Sequence, residues 1–167
     1  KQVKIGNLKE LTLTTNGSQL AKYADQLVDY GVKRINVSVD SLDPQKFQLI
    51  TRWGKLEDVI SGLTIAKKAG LEIKINAVAL KSFNDNEIDE MISWCGQEDY
   101  DLTFIETMPM GEIDGDRIDQ YLPLSILKDR INKNWTLEET AHKTGGPATY
   151  SLIKETGKRI GFITPLT

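Results

Sequence analysis

Lys74 lies in Ile73-Lys74-Ile75-Asn76, a lysine between apolar neighbours at strand spacing. Side chains on a strand alternate faces, so if Ile73, Ile75 and Ala77 turn to an apolar layer, the ammonium points into a polar interior. A desolvated ammonium needs an anion there. That anion could be Glu106 or Asp40 in a structural ion pair, or a phosphate of a bound substrate. A third option is Schiff-base chemistry, because burial brings a lysine's pKa toward the reactive range. The same alternation recurs along the chain. Thr12, Thr14 and Asn16 share a phase, as do Asn36, Ser38 and Asp40, then Lys74 and Asn76, then Glu106 and Met108. The intervening positions hold Leu11 and Leu13, then Ile35, Val37 and Val39. Neighbouring strands of this kind form a sheet with one apolar and one polar wall. The interior of a packed barrel is mostly Val, Ile and Leu, so a polar wall lines a wet site.

Each of these segments has a structural reading beside the chemical one. Thr14-Thr15-Asn16-Gly17 leaves a strand and enters a helix at Ser18, so its hydroxyls and amides could hold a phosphate or carboxylate, or simply cap the helix. Asn36, Ser38 and Asp40 need a ligand, water or one another, since a buried polar group without a partner costs about 1–3 kcal/mol. Met108, before Pro109 at a strand end, is either core packing or a rim position whose backbone meets a ligand. Cys95 follows Ile88, Met91 and Ile92 at helical spacing and reads as a small core hydrophobe. His142, the only histidine, lies in a Thr/Gly/Lys-rich stretch and reads as a solvated loop residue. Gly145-Gly146-Pro147 fits no phosphate-loop or dinucleotide pattern and reads as a turn.

The elements that must position these residues follow a βα rhythm. Strands begin near Leu11, Ile35, Ile73 and Leu102, with amphipathic helical patterns between them, as in a parallel sheet. Leu20, Ala24, Leu27 and Val28 form the first helical face, ended by Gly31. The second opens at Asp43-Pro44, continues through Leu56, Val59, Ile60, Leu63 and Ala66, and closes at Gly70. The third begins near Asn84 to Asn86. After Pro109 come an acidic Gly111/Gly115 loop, a short helix around Leu124, Leu127 and Ile131, and two strands, Tyr150 to Ile153 and Arg159 to Ile163. These strands form a hairpin about Thr156-Gly157 that reads as an appendage. Four such strands cannot close an eight-stranded barrel of about 250 residues, which leaves an open sheet or part of an open barrel, with the edges of the first and fourth strands exposed to self-association.

With 167 residues, 40% hydrophobic and 27% charged, the chain is bounded to one domain with a real core. Its net charge is -3 and no Lys/Arg cluster follows a helix, which argues against nucleic acid. No apolar stretch approaches the roughly 20 residues of a membrane span. A signal-peptide apolar region is missing from Lys1 to Leu11, so the expected location is cytoplasmic. One cysteine cannot hold an iron–sulfur cluster or a structural zinc. The opening at Lys1 and the strand-like ending at Thr167 read as cut ends.

Taken in order, TTNG (Thr14 to Gly17), RINVSVDSLD (Arg34 to Asp43), KIN (Lys74 to Asn76), FIETMPMG (Phe104 to Gly111), GGPATY (Gly145 to Tyr150) and GFITP (Gly161 to Pro165) closely resemble the GTP 3′,8-cyclase family of molybdenum-cofactor biosynthesis. These are radical S-adenosylmethionine enzymes, and the resemblance runs over essentially the whole chain. It implies α/β architecture: part of an incomplete (β/α)6 TIM-like barrel with about four parallel strands, flanking helices and a C-terminal β-hairpin. Residues 1–112 would be the central part of the barrel and 113–167 the start of a C-terminal region. The implied reaction converts GTP to (8S)-3′,8-cyclo-7,8-dihydroguanosine 5′-triphosphate, through a deoxyadenosyl radical that takes hydrogen from ribose C3′. The ribose radical then attacks guanine C8.

By resemblance, Thr14 and Lys74 contact GTP, while Ser38 and Met108 contact S-adenosylmethionine, the latter through its main chain. The implied cofactors of the parent enzyme are S-adenosylmethionine and two 4Fe–4S clusters. The family's CxxxCxxC motif and its second cysteine group are absent from this sequence, so an internal fragment, inactive by itself, is expected. The implied partners are GTP, S-adenosylmethionine and a downstream cyclic pyranopterin monophosphate synthase, with a homodimeric parent as one option. A standalone nucleotide- or phosphate-binding α/β domain and a Schiff-base lyase using Lys74 stay open as alternatives.

Overall fold

A computed structural model of the chain describes residues 10–107 and 120–165. The fold is mixed α/β, as expected. Strands β1 (Thr12–Thr15), β2 (Arg34–Ser38), β3 (Glu72–Ala79) and β4 (Asp101–Glu106) are joined by helices α1 (Leu20–Asp29), α2 (Pro44–Thr51), α3 (Leu56–Lys68) and α4 (Ile88–Gln97). Helix α5 (Leu124–Asn134) and strands β5 (Leu137–Glu139), β6 (Thr149–Ile153) and β7 (Lys158–Ile163) follow. One sheet runs in the order β1-β2-β3-β4-β7-β6-β5. β1 to β4 pair in parallel and β7 lies parallel to β4, whereas β5 and β6 are antiparallel.

The hairpin about Thr156-Gly157 forms as read, but it is no appendage. Its second strand continues the parallel sheet beyond β4, so β4 is an interior strand and the expected free edge there does not exist. Among the described residues β1 and β5 end the sheet. The second helical pattern is two helices. Arg52 adopts φ 66° and Gly54 has no room for a side chain, since a Cβ there would meet Thr51 Oγ1 at 2.5 Å. Asp43 caps α2 as its sequence predicts, accepting from Gln45 N at 2.7 Å with Pro44 in the first turn. α4 starts at Ile88 rather than Asn84–Asn86. Asn84 is used differently: its side chain donates to Asp40 O (2.6 Å) and Val78 O (2.8 Å) and accepts from Leu80 N (2.8 Å), tying the ends of β2 and β3 together.

The core lies on one side of the sheet. Ile35 and Val37 of β2, Ile73, Ile75, Ala77 and Ala79 of β3, and Leu102 and Phe104 of β4 are buried with Val59, Leu63 and Ala66 of α3 and with Met91, Ile92 and Cys95 of α4. Cys95 is a core hydrophobe, and burial pushes its thiol pKa up, out of the thiolate range. Leu11 and Leu13, expected on this wall, are exposed, β1 being an outer strand of the sheet among the described residues. Gly17 is required where β1 turns into α1. Its φ is +78°, and a Cβ would sit 2.8 Å from Val59 Cγ1 and 3.0 Å from Val37 Cγ1.

Candidate functional site

The opposite wall is polar across four strands, and the parallel register fixes which residues share a row. Thr14 pairs Asn36 and Asn36 pairs Lys74, which pairs Asp101. In the next row toward the carboxyl ends, Ser38 pairs Asn76, Asn76 pairs Thr103, and Thr103 pairs Gly161. The rows are two residues apart, about 7 Å. Thr14 and Lys74 therefore share one row and Ser38 sits in the other. The polar groups extend along the full strands instead of crowding their carboxyl ends.

Glu106 is not on this wall. It pairs with Ala79, whose side is apolar, and its carboxylate accepts from Tyr121 Oη and from Leu124 N, each at 2.8 Å, capping α5. The expected phase of the fourth strand was one residue off. Asp101, Thr103 and Ile105 are its inward positions, and a one-residue slip exchanges every side chain between faces. Met108, Pro109, Gly111 and Gly115 lie outside the described residues.

Lys74 is buried, and its Nζ donates to Tyr150 Oη at 3.3 Å. Neither expected carboxylate takes it. Glu106 is on the other face, and Asp40 accepts from Val78 N at 2.7 Å while burial raises its pKa. Among the described residues Lys74 forms no ion pair. Around it, Asn36 Nδ2 donates to Thr14 Oγ1 at 3.2 Å. Asn36 Oδ1, Asn76 Oδ1 and Thr103 Oγ1 are buried with no hydrogen-bond partner among the described residues. Three adjacent orphaned acceptors on neighbouring strands are costly unless a polar molecule meets them.

The loop after β1 is self-satisfied. Thr15 Oγ1 accepts from Gly17 N at 3.1 Å, Asn16 Oδ1 accepts from Ser18 N at 3.1 Å, and the helix cap is Gln19. Those two amides are therefore spent locally, and of this segment only Thr14 faces the polar row.

Reading the sequence missed the far side of the site. Tyr150 lies across Gly161, where a Cβ would be 2.8 Å from both Thr103 Oγ1 and Tyr150 Cε1. His142 lies in a loop, as expected, but it is half-buried and engaged rather than solvated. Its ring stands edge-on to Tyr150 at 4.9 Å, and its Nδ1 accepts from Arg159 Nη1 at 3.0 Å. Burial, then the Arg159 charge, lowers the His142 pKa, in keeping with a neutral ring that accepts there. Arg159 is in turn held by Asp101, through Nη2 at 2.6 Å and Nε at 2.9 Å. The one available signal was Gly161 inside a strand, which marks a close approach.

At the carboxyl ends of β2 to β4 a cavity of about 480 Å³ is lined by Asp40, Leu49, Val78, Phe83 and Thr107. Thr107 Oγ1 is another orphan. Apolar walls with a few polar groups suit a heterocycle-bearing ligand. The described residues do not suit an iron–sulfur cluster. Cys95 is buried on the other face, and no group of three or more His, Cys, Asp or Glu side chains is placed to hold a metal among them. Likewise no described helix is long and apolar enough to cross a membrane.

Residues 1–95 match the family model of the Radical SAM superfamily, and residues 100–167 match Molybdenum Cofactor Synthesis C. Over all 167 residues the chain is 58% identical to a GTP 3′,8-cyclase of Sinorhizobium medicae and 59% identical to one of Rhizobium meliloti. It spans 48% of the length of each. Among solved structures, Streptococcus suis SuiB bound to S-adenosylmethionine superposes with a TM-score of 0.56 at 17% identity, covering 93% of this chain and 32% of that one. A second structure of SuiB gives 0.53 with the same coverage. These likenesses fix the fold as part of a TIM-like barrel.

Proposed function

The chain belongs to the radical SAM superfamily, and on that premise we propose that it forms the ligand-holding wall of a GTP 3′,8-cyclase. Lys74 meets a phosphate of GTP and Thr14 meets GTP beside it in the same row. Ser38, in the next row, contacts S-adenosylmethionine, and so does Met108 through its main chain. The observation that carries this reading is the buried Lys74 ammonium, bonded to the Tyr150 phenol, on a wall whose same and next rows hold the orphaned oxygens of Asn36, Asn76 and Thr103. An ammonium so placed retains its charge for an anionic ligand, and the orphaned oxygens accept from hydroxyl or amino donors such as a nucleoside carries. Two rows about 7 Å apart support two ligands side by side.

S-adenosylmethionine, when bound, supplies the radical chemistry of the superfamily. The residues of this chain bind and orient: Lys74 by charge, Thr14 by its hydroxyl, and the cavity beside Thr107 by excluding water from a heterocycle. The cluster ligands are not among the described residues, so electron transfer is not assigned to them. The same proposal includes the product (8S)-3′,8-cyclo-7,8-dihydroguanosine 5′-triphosphate, its consumption by cyclic pyranopterin monophosphate synthase, a homodimeric whole protein and a cytoplasmic setting. Residues 1–112 serve as barrel and 113–167 as the start of the C-terminal region.

The test is calorimetric titration of the protein expressed from its whole coding region, with Lys74→Ala as the variant. GTP should bind about 10- to 100-fold more weakly, from the loss of a charge-assisted bond, and S-adenosylmethionine should bind as before. Equal weakening of both ligands would make Lys74 a structural residue.

A further inference from the structure

We propose that Tyr150 positions the Lys74 ammonium for a phosphate chain, an inference that rests on reading Lys74 as a nucleoside-triphosphate contact. Tyr150 is on β6, three places along the sheet from β3, and its ring crosses β7 only because Gly161 carries no side chain. The phenol oxygen then stands 3.3 Å from Lys74 Nζ and 3.3 Å from Thr144 Oγ1. His142 supports the ring edge-on at 4.9 Å, and the Asp101–Arg159 pair anchors His142. A carboxylate in place of the phenol would also fix the ammonium, but it would cancel the charge an anion needs. A phenol accepts one of the three ammonium N–H groups without neutralising it. The remaining donors and the full charge stay available to phosphate oxygens. Tyr150 thus acts through Lys74, which it touches, and not on the substrate itself.

Tyr150→Phe keeps the ring over Gly161 and removes the hydroxyl alone. Titrations of GTP and of guanosine into wild type, Y150F, K74A and the double variant, all expressed from the whole coding region, separate the possibilities. Losing a hydrogen bond to a charged group should raise the GTP Kd of Y150F about five- to tenfold. Guanosine, which has no phosphate, should bind within about twofold of wild type. In the K74A background Y150F should add less than about twofold, because the residue acts through Lys74. If K74A weakens GTP while Y150F leaves it unchanged, the positioning role is wrong and the Lys74 reading stands. If Y150F weakens GTP and guanosine alike, or keeps its full effect without Lys74, Tyr150 serves the fold generally and the proposal falls. If K74A itself leaves GTP binding unchanged, the phosphate reading fails and the positioning role falls with it. Measuring well below the melting temperature of each variant keeps every comparison on folded protein.

Discussion

Glu87 shows how much one buried side chain can hold. Its carboxylate accepts from Ser41 Oγ at 2.7 Å, Leu42 N at 3.0 Å and Lys46 Nζ at 2.6 Å, joining the loop after β2 to the start of α4. Burial pushes its pKa up, but the bonds from Lys46, Ser41 and Leu42 together outweigh that and leave it below the usual carboxylate value. A lowered folded pKa means that its stabilisation is complete above the ordinary pKa and is lost as pH falls through the folded one. Glu87→Gln should therefore cost about 1–3 kcal/mol at pH 7 and remove part of the acid sensitivity, as urea unfolding at neutral and acidic pH would reveal. Unchanged stability at pH 7 would contradict this account of Glu87. The sequence displayed the types at the polar wall, because Lys74, Asn36 and Asn76 each interrupt an apolar alternation. It did not display their partners. Tyr150 is 76 residues from Lys74, and no local pattern links them.

Elements were legible where local chemistry decides them and obscure where tertiary packing does. Asp43-Pro44 announces a helix start and one forms there. The single helical pattern read from Asp43-Pro44 through Leu56 and Ala66 to Gly70 hid the break at Arg52–Lys55, which depends on backbone conformation rather than hydrophobic phase. On β4 the alternation Leu102, Phe104 fits the core, yet Glu106 shares that phase because it caps α5. A carboxylate on the core side looked like a site residue when it is a helix cap. Gly161 is the element-level counterpart of Tyr150. Gly161→Ala places a Cβ 2.8 Å from Thr103 Oγ1 and from the Tyr150 ring. Overpacking of this kind costs about 1–3 kcal/mol, and the displaced phenol should also weaken GTP binding. Thermal unfolding with parallel GTP titration checks both effects. A G161A protein with wild-type stability and wild-type GTP affinity would mean that Tyr150 does not depend on the bare strand.

At the scale of the molecule, a largely parallel sheet separates two environments. One wall meets α3 and α4 and holds the core, and the other carries Asn36, Lys74, Asn76, Thr103 and Tyr150. The βα rhythm made the first four strands readable, since each is followed by a helical pattern of ordinary length. The place of β7 beside β4 was hidden, because a hairpin signal shows that two strands pair and not where the pair docks. That docking is what brings residues 142–161 onto the wall begun by β1 to β4, so the site is assembled across both family regions. The most direct measurement is a crystal structure of the protein, expressed from its whole coding region, with GTP bound. The account predicts the triphosphate on the polar wall, with a phosphate oxygen about 2.7–2.9 Å from Lys74 Nζ and Thr14 in contact with the nucleotide. A triphosphate bound elsewhere, with the Lys74 ammonium still held by Tyr150 alone, would contradict it.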